Sequence, residues 1–349
     1  MEVSVPVHLA HESGVAVVID DPSKVGEARR SANTIAAAIG MSETDAGKFA
    51  IVASEAATNI AKHATRGQVM LRSLGADGVD GAEVVAIDHG PGIPDLDRAL
   101  SDGYSTAGSS GTGLGAMSRL ATSFDIYTSV GSGTVLVARI TPGGPRAGSL
   151  HQFDVGVIRV PKHGEVACGD DWAMAVDDRG RAIVAVADGL GHGQPAAEAS
   201  RRAVNVAVDR SGDQPAMIVA QVHAALRSTR GAALAIAELE PTGASVRYAG
   251  LGNISASLVS PRESKSLMSY NGIAGHEARK IQEFAYDWPA DALLVMHSDG
   301  LSGRWDLARY PGLAFRDPSV VAGVLYRDFS RGRDDALVLV VRPAARRAA

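Results

Sequence analysis

At 349 residues the chain is long enough for about two domains with separate cores, taking roughly 150 residues per domain. Its 46% hydrophobic and 21% charged residues are an ordinary globular composition, neither disordered nor fibrous. A formal net charge of -5 offers no basic field for nucleic acid or an anionic membrane, the lone Cys168 excludes a disulfide framework or a multi-cysteine metal site, and MEVSVPVHLA lacks the basic region of an export signal; the expectation is a soluble, cytoplasmic protein with neither nucleic acid nor membrane as partner.

In chain order, Ser42 followed by Asp45 resembles a capping box opening a helix from about Glu43 to Ala64. QVMLRSL and AEVVAID read as strands, and a glycine-dense stretch from Gly90 to Gly115 then interrupts regular structure. A short helix, GAMSRLA, leads to a hairpin of FDIYTSV and TVLVARI around a Gly-Ser-Gly turn. Glycine and proline cluster without periodicity from Thr141 to Ser149, which places the domain junction there: a first domain over 1–141, a linker over 142–152 and a second domain over 153–349.

Downstream, WAMAVDD and RAIVAVAD form a hairpin about Arg179-Gly180, and a helix spans about Pro195 to Asp209. AALAIAEL, ASVRYAGL and ALLVMHSD read as strands, followed by a helix near Ser319 to Phe329 and a final strand, ALVLVVR. Strands outnumber helices, so the fold class is α+β. No internal repeat relates the halves.

The first half lacks a Walker P-loop, so a nucleotide would be held in another way. Glu55 and Asn59 sit at i and i+4 and project from one helical face, where a carboxylate and an amide oxygen can orient a water and hold a hydrated Mg²⁺. Asp88 ends a strand, and Gly90 and Gly92 after it allow a flat ligand close to the backbone. Gly111, Gly113 and Gly115 offer N–H groups and a helix N-terminus to phosphate oxygens. Each piece alone has a plain alternative, a solvated helix face or an ordinary loop.

In this order and spacing, SEAATNIAKHA, DHGPGIPD and GTGLGAM resemble the GHKL ATPase superfamily, and the run from Gly90 to Leu120 is similar to the small serine kinases of the anti-sigma and stressosome type. The resemblance covers about residues 15 to 140 and implies a Bergerat-type α/β sandwich binding ATP and Mg²⁺. It implies Glu55 as general base, Asn59 as Mg²⁺ ligand, Asp88 on the adenine amino group with Gly92 beside it, Thr134 as an adenine-side contact, and DGYSTAGSSGTGLG as the ATP lid. Between Asp102 and Gly115 that lid carries no Lys or Arg, so Lys62 or Arg119 would have to stabilise charge on the γ-phosphate. His63 and His89 flank the site and read as solvent-exposed.

In the second half, CGDDWAM, VADGLGHG, HSDGLSG and RGRDDALVLV each place an aspartate at the edge of an expected strand, with Asp177-Asp178 more distant. A sheet can aim such carboxylates at one point, as a dinuclear Mg²⁺ or Mn²⁺ site requires, although any single DG or DD pair also serves as turn chemistry. The glycines after Asp188 and Asp299 would leave room for the ions. Together with YAGLGNISASLV and NGIAGH, these segments resemble a SpoIIE-type phosphatase of the PPM class over about residues 153 to 342, which implies an α-β-β-α sandwich. The resemblance assigns two Mn²⁺ or Mg²⁺ ions to Asp170, Asp188, the Gly189 carbonyl, Asp299 and Asp334, with Asp335 next in line. It implies hydrolysis of a phosphoserine or phosphothreonine protein, with a STAS-domain partner in a partner-switching system. Cys168 then reads as a small buried residue, and His192 as either a proton donor or a turn residue.

The expected whole is a metal-dependent protein phosphatase joined to a serine kinase-like ATP-binding domain. The alternative is that the ATP-binding half only senses nucleotide or sequesters a partner.

Overall fold

A computed structural model describes residues 7–10, 14–64, 66–75, 81–101, 113–142, 152–240, 245–261 and 263–344. The chain forms two compact units, one of residues Glu12–Arg146 and one of Met1–His11 with Ala147–Ala349. The N-terminal residues are where the structure departs from the sequence-based division at 1–141. The strand β1 (Val7–Ala10) pairs antiparallel with a strand of the second unit, Val7 opposite Val176 and Ala10 opposite Ala173. Residues 102–112 of the expected lid and most of the expected linker lie outside the described residues.

The first unit consists of β2 (Gly14–Ile19), α1 (Lys24–Ala38), α2 (Glu43–His63), β3 (Gly67–Leu74), β4 (Gly81–Asp88), α3 (Leu96–Leu100), α4 (Gly113–Leu120), β5 (Ser123–Ser129) and β6 (Gly133–Ile140). Its antiparallel sheet runs β2-β3-β4-β6-β5. The helices cover one face, where Val69, Leu71, Val84 and Leu136 meet the buried stripe of α2, Phe49, Val52, Ala53, Ala56 and Ile60. Ser42 caps α2 by accepting the Asp45 N–H at 3.1 Å. Asp45 does not complete a reciprocal box; its carboxylate instead accepts from the Ser42 hydroxyl at 2.9 Å.

The second unit has β7 (Phe153–Val160), β8 (Asp170–Val176), β9 (Ala182–Gly189), α5 (Gln194–Asp209), α6 (Pro215–Ala225), β10 (Ala232–Leu239), β11 (Ser245–Leu251) and β12 (Ser255–Val259). Five short strands follow: β13 (Ser264–Ser266), β14 (Ser269–Tyr270), β15 (Gly272–Ile273), β16 (Glu277–Ala278) and β17 (Phe284–Asp287). The unit closes with β18 (Leu293–His297), α7 (Pro318–Phe329) and β19 (Ala336–Pro343). One sheet runs β1-β8-β9-β10-β11-β14 with β17 also on β11, and the other runs β13-β12-β18-β19-β7.

Period-two alternation decides which face goes where. On β8, Trp172, Met174 and Val176 point into the core between the sheets, with Leu294, Met296, Leu337 and Leu339 from the other sheet. The intervening Ala173 and Ala175 pack beneath α5 and α6. On the other side α7 lies so close to β7 that a Cβ on Gly156 would fall 2.0 Å from the Ser319 nitrogen. This is the expected α-β-β-α sandwich.

Candidate functional site

In the first unit, a cavity of about 450 Å³ opens between α2, α4 and the end of β4, lined by Asn59, Asp88, Gly92 and Thr134 with apolar walls that include Ile60, Met117 and Leu136. That size and mixture suit a small organic ligand with a few polar anchors. Asp88 is oriented by its surroundings: its Oδ1 accepts the N–H of Gly90 at 2.7 Å and of Thr134 at 3.3 Å. Thr134 Oγ1 in turn lies 3.1 Å from Thr128 Oγ1.

The glycines have separate reasons. Gly92 has φ +72 and a Cβ there would sit 2.2 Å from the Ser129 carbonyl oxygen, so no other residue fits the turn under the cavity. A Cβ on Gly113 would lie 2.8 Å from Glu55 Oε2 and 3.6 Å from Asn59 Oδ1, which brings the start of α4 against that pair. Gly115 is buried within α4. Gly111 lies outside the described residues. Lys62 is exposed and His63, one residue on, lines the cavity in its place. His89 and Arg119 are exposed.

In the second unit, β8 and β9 start and end at one edge, and their register sets Asp170 opposite Asp188. Asp299 follows β18 and Asp334 and Asp335 precede β19, its neighbour in the other sheet. The carboxylates act on one another. Burial raises Asp170 well above the usual carboxylate range, helped by the charges of Asp188, Asp335 and Asp299. Burial also pushes Asp188 up to about 7, with Asp299, Asp334 and Asp335 adding to it. Asp299 is raised by burial and then by Asp334.

Partners fix the orientation of several of these groups. Ser298 Oγ donates to Asp170 Oδ2 at 2.6 Å, Asn253 Nδ2 donates to Asp299 Oδ2 at 2.7 Å, and the Lys162 N–H donates to Asp335 Oδ1 at 2.9 Å. Asp334 is exposed, and its Oδ1 accepts the Asp335 N–H at 3.0 Å. Asp170 Oδ1 and Asp335 Oδ2 are buried without a hydrogen-bond partner. Buried carboxylate oxygens that no donor satisfies, inside a mutually repelling acidic group, fit hard divalent cations. Among the described residues no three such side chains are drawn to the spacing of a closed ligand set, so they share a region rather than a single point.

The expected role for the glycines beside Asp188 and Asp299 needs correction. A Cβ on Gly189 would strike the Ala196 carbonyl oxygen at 2.1 Å, and one on Gly300 the Asp335 carbonyl oxygen at 1.9 Å. Their small size admits helix α5 and the connection that leads into β19, rather than making space for ions. Asp177 accepts the N–H groups of Arg179 and Arg181 in the β8–β9 turn, about 24 Å from Asp170 at ~3.4 Å per residue. Cys168 is buried and its thiol is pushed up by burial and then by Asp170, which makes it an inert packing residue.

Comparison with known proteins gives a match for each of the two units. Residues 18–140 fit the family model of the histidine kinase-like ATPase domain, and residues 178–343 that of stage II sporulation protein E, SpoIIE. The serine/threonine-protein kinase RsbT of Bacillus subtilis (strain 168) is 34% identical over 111 residues, 32% of this chain and 84% of RsbT. The chain belongs to the RsbT-like ATPase family through its first unit, and that domain is fused to a SpoIIE-like serine/threonine phosphatase domain. The phosphoserine phosphatase RsbX of the same organism is 28% identical over 147 residues, 42% of this chain and 73% of RsbX. A solved structure described as "The bacterial stressosome: a modular system that has been adapted to control secondary messenger signaling" superposes with a TM-score of 0.51 at 27% identity, covering 54% of this chain and 99% of that one. No helix among the described residues is long and apolar enough to cross a membrane.

Asp170 precedes the segment matched to SpoIIE, so its place in this RsbT–SpoIIE fusion rests on its pairing with Asp188. The sequence reading passed over Ser298, Asn253 and a contact between Glu165 and His192. His192 Nδ1 lies 2.6 Å from Glu165 Oε1, which ties the loop after Asp188 to the segment before β8. The serine in HSDG and the asparagine in GLGN were visible signals; the Glu165 partnership was not, because 27 residues separate it from His192.

Proposed function

We propose that the second unit hydrolyses phosphoserine or phosphothreonine on a protein partner, using two Mn²⁺ or Mg²⁺ ions held by Asp170, Asp188, the Gly189 carbonyl, Asp299 and Asp334, with Asp335 beside them. The observation that carries this reading is the set of mutually repelling aspartates, two of which, Asp170 and Asp335, each keep a buried oxygen without a hydrogen-bond partner. Bound cations of this kind activate water and neutralise phosphate oxygens. The protein's own part is positional: Ser298 and Asn253 fix two carboxylates, and Glu165 orients His192 to give a proton to the departing serine oxygen.

The first unit, on this reading, binds ATP with Asp88 at the adenine, Gly92 and Thr134 beside it, and Asn59 at Mg²⁺, with Glu55 as base for transfer to serine. RsbT is named a serine/threonine kinase and RsbX a phosphoserine phosphatase, and their joining in one chain fits a cytoplasmic partner-switching regulator that modifies a STAS-domain protein. The deciding experiment is Mn²⁺-dependent phosphate release from a phosphoserine STAS protein by wild type and by Asp188→Asn. Equal release by the variant would reject the ligand assignment.

A second reading makes the first unit a nucleotide sensor or partner-sequestering module without transfer. It is favoured by the lack of Lys or Arg between Asp102 and Gly115, together with the exposure of Lys62 outside the cavity wall. Transfer of γ-labelled phosphate from ATP to a STAS protein, measured in an Asp188→Ala background, separates the two readings.

A further inference from the structure

A phosphoserine carries close to two negative charges to a cluster that is itself acidic. Divalent cations offset part of this repulsion, but a substrate phosphate is also commonly gripped by an arginine, whose planar fork matches two phosphate oxygens. We propose that Arg331 is the substrate-phosphate clamp of the second unit.

Its placement is set by backbone. Arg331 lies in the short connection between α7 and β19 that also carries Asp334 and Asp335. The Arg331 N–H donates to the Gly300 carbonyl at 2.9 Å, Ser302 N donates to the Phe329 carbonyl at 2.9 Å, and Ser330 bridges to Leu301, so this connection is stitched to the residues just after Asp299. The tie brings Arg331, which lies on one aspartate-bearing connection, against the other. Its side chain is exposed and makes no hydrogen bond or ion pair among the described residues, which leaves the guanidinium available to a ligand.

Two other arginines supply the comparison. Arg333 is exposed in the same connection, two residues on. Arg230 lies across the loop after Asp188, its Nη1 2.9 Å from where a Gly191 Cβ would be. Neither has a main-chain tie to the Asp299 segment.

The inference rests on the phosphatase reading above, and the experiment keeps the two apart. Full-length wild type, Arg331→Gln, Arg331→Lys, Arg333→Gln and Arg230→Gln are assayed with Mn²⁺ on a phosphoserine peptide. Binding of the fluorescein-labelled phosphopeptide and its unphosphorylated counterpart is measured by anisotropy in an Asp188→Asn background, and Mn²⁺ affinity by calorimetry. Arg331→Gln should raise KM and weaken phosphopeptide binding by about tenfold or more, with Lys recovering part, the unphosphorylated peptide unaffected and Mn²⁺ affinity unchanged. Arg333→Gln should match wild type. Unchanged KM and binding in Arg331→Gln, or a larger loss in Arg230→Gln, overturns the clamp while leaving hydrolysis intact. Absence of Mn²⁺-dependent release by wild type overturns the phosphatase reading itself.

Discussion

Ser298 Oγ donates to Asp170 Oδ2 at 2.6 Å while accepting the N–H of Leu337 at 3.0 Å, so one hydroxyl joins a buried carboxylate to the backbone of the neighbouring sheet. Ser298 is itself fully buried. The bond leaves Asp170 Oδ1 turned away from the serine, and that oxygen has no other partner.

Ser298→Ala removes the donor and leaves the Leu337 N–H without its acceptor. Mn²⁺ affinity should fall by about 10- to 100-fold, the usual effect of losing a group that orients a metal ligand. Thermal stability of the metal-free protein should fall by about 1–3 kcal/mol because a buried donor is orphaned. Calorimetric titration with Mn²⁺ checks the first; an unchanged dissociation constant would remove Ser298 from the positioning machinery.

A second expectation concerns pH in the absence of divalent cations. Burial and then the Asp299, Asp334 and Asp335 charges push Asp188 up to about 7, above its unfolded value near 4. A folded-state value raised in this way means the group contributes stability below about pH 4 and loses it as pH rises through about 7. Asp170 and Asp299 are shifted the same way. In chelator, therefore, wild type should lose stability between pH 5 and 8 more steeply than Asp188→Asn, and at pH 8 the variant should be the more stable by on the order of a few kcal/mol. Added Mn²⁺ should reverse that order. Parallel melting curves at pH 5 and 8 would expose the error if both proteins respond equally.

Gly92 gives a test in the first unit. Gly92→Ala must place a methyl 2.2 Å from the Ser129 carbonyl oxygen at a backbone φ of +72, so it should destabilise the unit by about 1–3 kcal/mol and weaken ATP binding through displacement of the cavity floor. Gly131→Ala, with φ +80 and open space about its Cβ, carries only the backbone cost and should leave ATP binding nearly intact. Fluorescent-nucleotide titration distinguishes the two. Equal loss would mean the Ser129 contact is irrelevant.

Much of the architecture was legible in the sequence because it is written in strong local patterns. The α2 stripe from Phe49 to Ile60 recurs at helical spacing, and β8 alternates Trp172, Met174 and Val176 against alanines. The helices α1 and α6 were not legible. In α1 the buried side is mostly alanine, Ala28, Ala32 and Ala36 with Ile35, which barely contrasts with its surroundings. In α6, apolar residues such as Met217, Ile218, Val219 and Val222 occur on several sides, so no stripe stands out. The aspartates could be named from DG and DD pairs, but the facts that distinguish Asp335 from Asp334 are tertiary: Asp335 is buried against the Lys162 N–H, 173 residues away in sequence.

The N-terminal strand was the largest departure, since nothing in MEVSVPVHLA says which sheet it joins. In β1, residues Val7 to Ala10 pair with Val176 to Ala173 and convert β8 from an edge strand into an interior one. Because β8 begins at Asp170, the segment that precedes the ATPase unit helps hold the strand that carries one of the proposed metal ligands. Deleting residues 1–11 should therefore destabilise the phosphatase unit by roughly a few kcal/mol, because it removes a backbone ladder whose hydrogen bonds are each worth about 0.5–1.5 kcal/mol, and leave the ATPase unit's own melting unchanged. It should also expose the β8 edge and promote association between copies. Differential scanning calorimetry with and without Mn²⁺ assigns each transition to its unit, because only the phosphatase transition should move with metal. If the truncated protein keeps its metal-sensitive transition at the wild-type temperature, β1 contributes nothing to the sheet it extends.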